Sequence, residues 1–307
     1  EPVSDCYIER YEVVPDAATG TVKVRVFASN PSCSYHLIAR DGEQVVATSE
    51  KTPAGDEVTL TIPDAKLWSP DSPFLYNLDI YLSEPDCQEC DKARGYFGLR
   101  TLSRALIDGH PAFLLNGQPI FMYGPLDQGW WPDGLLTPPS YEAMIYDLQT
   151  IKALGMNMVR KHIKVEPDLW YEWCDRNGLI VWQDMPNGSE GGNLGSKDEL
   201  QHIFYSESER IVTALKQHPS ICVWIPYNEG WGQDAGTGAG HTMRGYLVVR
   251  NADADQGRLM NAASGWTDFK IGDITDAHSY PSPNGTGNES NDRVNVCGEF
   301  GGITYLI

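Results

Sequence analysis

The chain changes its rhythm once, close to Asp108, and that change constrains the fold more than any other feature of the sequence. Before it, short runs alternate apolar and polar residues: YIERYEVV, TVKVRVFAS, SYHLIARD, EQVVATS, EVTLTI, LYNLDIYL and GYFGLRTL. Turn signals such as PDAATG, NPS, RDGE and TPAGDE separate them. Period-two alternation at a spacing of about 8 to 12 residues is the pattern of an antiparallel, immunoglobulin-like β-sandwich. A first domain over residues 1–104 is therefore expected.

After Asp108 strands alternate with helices. AFLLNGQPI predicts a hairpin turned at Asn116 and Gly117, followed by a strand over residues 121–123. Met144, Ile145, Leu148, Ile151 and Leu154 recur at helical spacing over residues 140–154, and Gly155 closes the run. MNMVR reads as the next strand, PDLWYEWCDRNG as a helix stopped by Gly178, and LIVWQ as a strand. Ser196 and Glu199 form a capping box for a helix running towards Lys216. ICVWI, RLMNAAS, DITDAHS and VNVCGEF complete seven βα-type units.

Strands apolar along their length and ending in polar residues indicate a parallel sheet covered by helices. Seven in succession, with no G-x-G-x-x-G after the first, favour a (β/α)8 TIM barrel over an open nucleotide-binding sheet. The second domain is expected over residues 105–307, with its eighth and last strand lying outside this sequence. EPVSDCYIER, which has neither a basic nor an apolar leader region, reads as a mature or internal start.

A net charge of −19 argues against a nucleic-acid partner or an anionic membrane surface, since both need clustered Lys and Arg. Seven cysteines are too few and too scattered for a disulfide framework; Cys87 and Cys90 read as a local disulfide or two loop thiols, and Cys222 and Cys297 as inert core residues. Neither a metal nor a cofactor is expected. Sequons at Asn187, Asn284 and Asn288 lean towards an extracellular, secretory or periplasmic setting.

In a barrel the C-terminal strand ends converge on one mouth. They carry Asp127; Arg160, His162 and Lys164; Asp184; Asn228 and Glu229; Ser264 and Trp266; His278 and Tyr280; and Glu299. Glu229 and Glu299, on the fourth and seventh strands, would face each other, which brings the roughly 5 to 5.5 Å separation of retaining glycosidases within reach.

The motifs YNEGWGQ, GEFGG, DAHSYP and GMNMVRKHIKVEPDLWYEWCDRNGLIVWQDMP, with YFGLR ahead of FLLNGQPI, resemble glycoside hydrolase family 2, the β-galactosidase, β-glucuronidase and β-mannosidase group. The resemblance runs from the sandwich through strand seven. The family's usual N-terminal jelly-roll domain and strand eight have no counterpart in this sequence. It implies a retaining exo-β-glycosidase, β-galactosidase-like, acting on terminal β-linked sugars. Glu229 would be the general acid/base and Glu299 the nucleophile. Asn228 would bind the sugar 2-hydroxyl and Arg160 would be the counter-ion of Glu299, unless it only pairs with Asp184. His162, Asp184, His278, Tyr280 and Trp231 would bind sugar or orient the acids. Lys164 is the sole candidate for holding a uronate carboxylate. The competing reading is a non-catalytic carbohydrate-binding or structural protein that retains the fold.

Overall fold

The computed structural model describes residues 5–187, 198–233, 239–285 and 290–302, without the side chains of residues 198 and 199. Ser196 and the sequon at Asn288 lie outside them. The chain divides into two units, Glu1–Thr101 with Gln217–Pro219, and Leu102–Lys216 with Ser220–Ile307.

The first unit is a two-sheet sandwich. Its strands are β1 (Ile8–Asp16), β2 (Thr21–Ala28), β3 (Ser34–Asp41), β4 (Gln44–Thr48), β5 (Thr52–Pro53), β6 (Glu57–Thr61), β7 (Trp68–Ser69), β8 (Ser72–Pro73), β9 (Tyr76–Glu84) and β10 (Cys87–Phe97). One sheet has the order β1-β2-β6 and the other β10-β9-β3-β4, with β5 beside β3 and a separate β7-β8 pair. Alternation sets the faces: Val22, Val24 and Val26 of β2 and Tyr35, Leu37 and Ala39 of β3 are fully buried, whereas Lys23 between two of these valines is exposed.

Two expectations need correction here. Cys87 and Cys90 are not joined to each other and do not lie in a loop; they open β10, where the register slips between Cys87 and Asp91. The bridge instead joins Cys6 to Cys33, both buried and 27 residues apart, tying the chain ahead of β1 to the start of β3. The run GYFGLRTL is also not one strand, because β10 ends at Phe97 and the next strand starts at Leu102.

The second unit opens with a meander of β11 (Leu102–Ile107), β12 (His110–Leu115) and β13 (Gln118–Pro119). Asn116 (φ 52°) and Gly117 (φ 75°) turn the predicted hairpin, both with the positive φ of a type I′ turn. There follow β14 (Leu126–Asp127), α1 (Tyr141–Ala153), β15 (Met158–Lys161), α2 (Asp168–Asn177), β16 (Ile180–Asp184), α3 (Asp198–Leu215), β17 (Ile221–Ile225), β18 (Tyr227–Asn228), α4 (Gly240–Ala252), β19 (Leu259–Met260), β20 (Ala263–Ser264), β21 (Ile274–His278) and β22 (Val294–Glu299). The pairing is parallel throughout, in the order β14-β15-β16-β17-β19, with β18 beside β20 and β21 beside β22.

Every residue of β15, β16 and β17 is buried, as expected of strands covered on both faces. The core gathers Val159, Val181, Ile221 and Trp224 with Leu148, Trp170, Tyr171, Val212 and Val249 of the helices. Ser140 caps α1 by accepting from the Ala143 N–H at 3.1 Å, and Gly178 ends α2 in the left-handed conformation. Helix α4 has no counterpart among the predicted elements. Its buried face is Thr242, Gly245 and Val249, too polar and too small to give an apolar period.

The strand expected over residues 121–123 is not formed. Phe121 is 83% exposed, and the Asn157 side chain replaces a ladder there, donating to the Phe121 carbonyl at 2.8 Å and accepting from the Tyr123 N–H at 2.9 Å. The first parallel strand is β14, which starts two residues beyond Gly124. A Cβ at Gly124 would lie 1.7 Å from the Met158 carbonyl oxygen, so only glycine lets this segment run against β15. We expect Gly124→Ala to destabilise the second unit by about 1–3 kcal/mol, measured by denaturant unfolding. An unchanged midpoint would show that the close approach is dispensable.

Candidate active site

Arg160 organises the mouth. It is the penultimate residue of a fully buried strand, is 3% exposed itself, and directs its guanidinium to three partners from three other strand ends. Nε donates to Asp184 Oδ1 at 3.0 Å and Nη2 to Asp184 Oδ2 at 2.9 Å, a two-pronged pairing. Nη2 also donates to Asn228 Oδ1 at 2.8 Å, and Nη1 to Glu299 Oε1 at 2.9 Å. Pairing with Asp184 and serving Glu299 are thus not alternatives. Burial works against the charge on Arg160, but the carboxylates of Asp184, Asp276 and Glu299 outweigh it, raising its pKa and keeping it protonated.

Glu299 closes β22 with its side chain 8% exposed. The Tyr280 hydroxyl donates to its Oε2, and His278 Nδ1 lies 3.5 Å from the same oxygen. Burial, followed by the hydrogen bond to Glu299, pushes the Tyr280 phenol well above its usual range, so it stays a donor. His162 stands farther off, its Nε2 3.9 Å from Glu299 Oε1. Burial lowers the pKa of His162 and Arg160 adds to that, against the pull of Asp184 and Glu299, so the ring favours its neutral form.

Glu229 follows β18 and has a φ of 53°, in the left-handed region that a residue with a side chain enters at a cost of about 1–3 kcal/mol. Its N–H donates to the Ser264 carbonyl at 2.8 Å, and Gly230 and Gly232 carry the chain away with positive φ. Ile163 (φ 53°) and Trp266 (φ 43°) are similarly placed at neighbouring strand ends, so backbone strain gathers at this mouth. Glu229 Oε1 lies 2.8 Å from His278 Nδ1. One ligand atom each of Glu229, His278 and Glu299 lies within 4.8 Å of the others, so these three are the residues able to hold a cation here. With both Glu299 oxygens already taken by Arg160 and Tyr280, the arrangement fits a carboxylate pair better than a metal cage.

The structure therefore brings together Arg160, Asp184, Asn228, Glu229, His278, Tyr280 and Glu299, with His162 at the margin. Trp231 is 40% exposed and its side chain takes no part in these hydrogen bonds. Lys164 is not solvated: it is 8% exposed, donates to the Gly129 carbonyl at 2.8 Å and pairs with Glu166 at 2.8 Å. Lys161 and Asp127 belong to that same buried network. Cys297, expected in the core, is only half-buried, and its Sγ points to the Glu299 carbonyl at 3.6 Å.

Residues 6–100 match the family described as Glycosyl hydrolases family 2, and residues 111–280 match its TIM barrel domain. The chain belongs to glycosyl hydrolases family 2. This family 2 chain is 28% identical over 216 residues to a β-galactosidase of Psychromonas ingrahamii, covering 68% of the chain and 20% of that protein. It is 30% identical over 255 residues to β-mannosidase B of Aspergillus flavus, covering 75% of the chain and 28% of that protein. The crystal structure of Ruminococcus gnavus β-glucuronidase shares the fold at a TM-score of 0.76 and 19% identity, over 90% of this chain and 48% of the other. The chain thus spans less than half the length of each of these proteins, between 20% and 48%.

Three groups in this family 2 site escaped the sequence: Asp276, Asn261 and the backbone of Gly298. Asp276 accepts from Asn261 Nδ2, from Ser264 Oγ and from the Gly298 N–H, each at 2.7 Å. A signal was present, because Asp276 stands two residues before His278 and so projects from the same face of β21. Burial pushes the Asp276 carboxyl above its ordinary value, against the pull of Arg160.

Proposed function

We propose that the protein containing this chain is a retaining exo-β-glycosidase in which Glu229 is the general acid/base and Glu299 the nucleophile. The observation that carries this reading is the close approach of the two carboxylates, with an oxygen of each within 4.8 Å. Retaining enzymes hold their carboxyl groups about 5 to 5.5 Å apart, whereas inverting ones leave about 6.5 to 9.5 Å for a water. Their surroundings divide the labour. Glu299 receives hydrogen bonds from Arg160 and Tyr280, which suit an ionised group aimed at C1. Glu229 faces an imidazole instead, which suits a group that gives and takes back a proton.

Donation by Glu229 would release the aglycone while Glu299 bonds to C1. Water, deprotonated by Glu229, would then displace Glu299 and leave the product in the substrate's configuration. Asn228, held by Arg160, is the group proposed for the sugar 2-hydroxyl.

A neutral sugar, galactose first, is the substrate proposed. The lysine considered for a uronate carboxylate is committed to Gly129 and Glu166. An oxidising compartment is proposed on the Cys6–Cys33 bridge. The test is hydrolysis of aryl β-galactosides, β-glucuronides and β-mannosides by the full-length protein, with the first-formed anomer followed by proton NMR. A retained anomer is expected. Inversion would overturn the roles given to the two acids, and sugar binding without turnover would favour a non-catalytic carbohydrate-binding protein.

A further inference from the structure

Behind the two carboxylates runs a chain of hydrogen bonds whose proton positions can be counted. The Asp276 carboxylate accepts the Ser264 hydroxyl proton at 2.7 Å, along with N–H groups of Asn261 and Gly298. Ser264 has a single proton, so towards His278 Nε2, 2.9 Å away, its oxygen offers a lone pair. Nε2 must then carry a hydrogen, and a neutral imidazole in that tautomer leaves Nδ1 bare. Nδ1 nevertheless sits 2.8 Å from Glu229 Oε1. Two facing lone pairs at that distance repel, so the contact is favourable only with one proton between them.

The arrangement is built. The His278 side chain is fully buried. Gly265, at φ 74°, lies against the imidazole so closely that a Cβ would come within 2.7 Å of it, and a Cβ on Gly298 would come within 2.3 Å of the Asp276 carboxylate.

Resting on the reading of Glu229 as acid/base, we propose that Asp276, Ser264 and His278 form a positioning relay that fixes the imidazole tautomer and so keeps the acid/base loaded with its proton. In the first step the proton leaves Glu229 for the glycosidic oxygen as the C1–O bond breaks and Glu299 bonds to C1. Glu229 is then a carboxylate facing a bare nitrogen, a state relieved when the attacking water gives its proton back and its oxygen displaces Glu299 from C1. None of the three relay residues needs to touch the sugar.

Asp276→Asn reverses the relay. An amide nitrogen in place of Oδ2 would donate to Ser264 Oγ, and Asn261, whose Oδ1 is buried without a partner, can turn to accept from it. Ser264 would then donate to Nε2, and Nδ1–H would donate to Glu229, stabilising its carboxylate without any added proton. Ser264→Ala frees the tautomer while leaving the Asp276 charge in place. The other charged and titratable groups around the pair, Glu299, Tyr280, Arg160, His162 and Asp184, are unchanged in both variants.

The experiment measures kcat/KM against pH for the full-length protein, using phenyl and 2,4-dinitrophenyl β-glycosides of the preferred sugar. The second leaving group departs without acid assistance. For Asp276→Asn the phenyl substrate is expected to lose about 10²-fold, the size of a general-acid contribution, with the dinitrophenyl substrate within about threefold. The alkaline limb of the phenyl profile should move to lower pH, and Ser264→Ala should move it the same way. Equal losses on both substrates, or an unmoved limb, would overturn the relay. So would a limb that moves in Asp276→Asn alone, which would be the field of the lost carboxylate. If Asp276→Asn does not fold, Ser264→Ala decides by its limb and its substrate split. Glu229→Gln separates the two proposals: full activity on the phenyl glycoside would remove the acid/base reading, whereas its loss with unaltered relay variants would remove the relay only.

Discussion

Replacing Glu299 with alanine in the full-length protein is expected to lower turnover of an aryl β-glycoside by roughly 10⁴-fold or more, about 5 kcal/mol at the transition state. The loss follows from the covalent step itself, since no other carboxylate among the described residues stands in its place. The shortened side chain leaves room on that face of the sugar, flanked by the donors of Arg160 and Tyr280. Added azide should enter there, restore turnover with activated substrates, and give a glycosyl azide of inverted configuration. An alanine variant of undiminished activity, or an azide product of retained configuration, would remove Glu299 as nucleophile.

Arg160→Ala should reach further, because the residue supports the site as well as the chemistry. Without it Asp184, which is fully buried, keeps only the Ile163 N–H at 3.3 Å among the described residues, and its charge is left uncompensated. Breaking a buried pair in this way costs about 3–5 kcal/mol. For a unit of this size the melting temperature should fall by roughly 10 °C. Activity should fall with it, since Asn228 and Glu299 lose the donor that aims them both. Arg160→Lys separates the two effects: it keeps a charge near Asp184, but a single ammonium nitrogen cannot span the four acceptor atoms that the guanidinium fork reaches. It should recover part of the melting temperature and little of the activity. A lysine variant of wild-type kcat would show that the fork does not matter.

Much of this site could be read from strand ends, because a parallel strand buried along its length ends where polar residues begin. Arg160, Asp184, Asn228, Glu229 and Glu299 were found that way. Asp276 was not, since it stands inside β21 rather than at its end, and its only signal is the two-residue offset that puts it on the face of His278. Helix α4 was hidden for another reason: its inner face includes Gly245, where an added Cβ would fall within 2.7 Å of the Tyr227 ring, so no apolar side chain marks it. Spacing misled in the opposite sense at Phe121 and at Cys87. The first is apolar yet mostly exposed, and the second lies in an acidic stretch that nonetheless pairs as a strand. The Cys6–Cys33 bridge left no local signal, because contacts across 27 residues depend on the sandwich that creates them.

The left-handed backbone at Glu229 sets folding against turnover at a single position. The conformation suits glycine or asparagine better than glutamate. In a library sorted for soluble, folded protein, position 229 should drift towards those residues; sorted for hydrolysis, it should hold glutamate alone. The conflict between the two sorts would single out this position without any knowledge of the substrate.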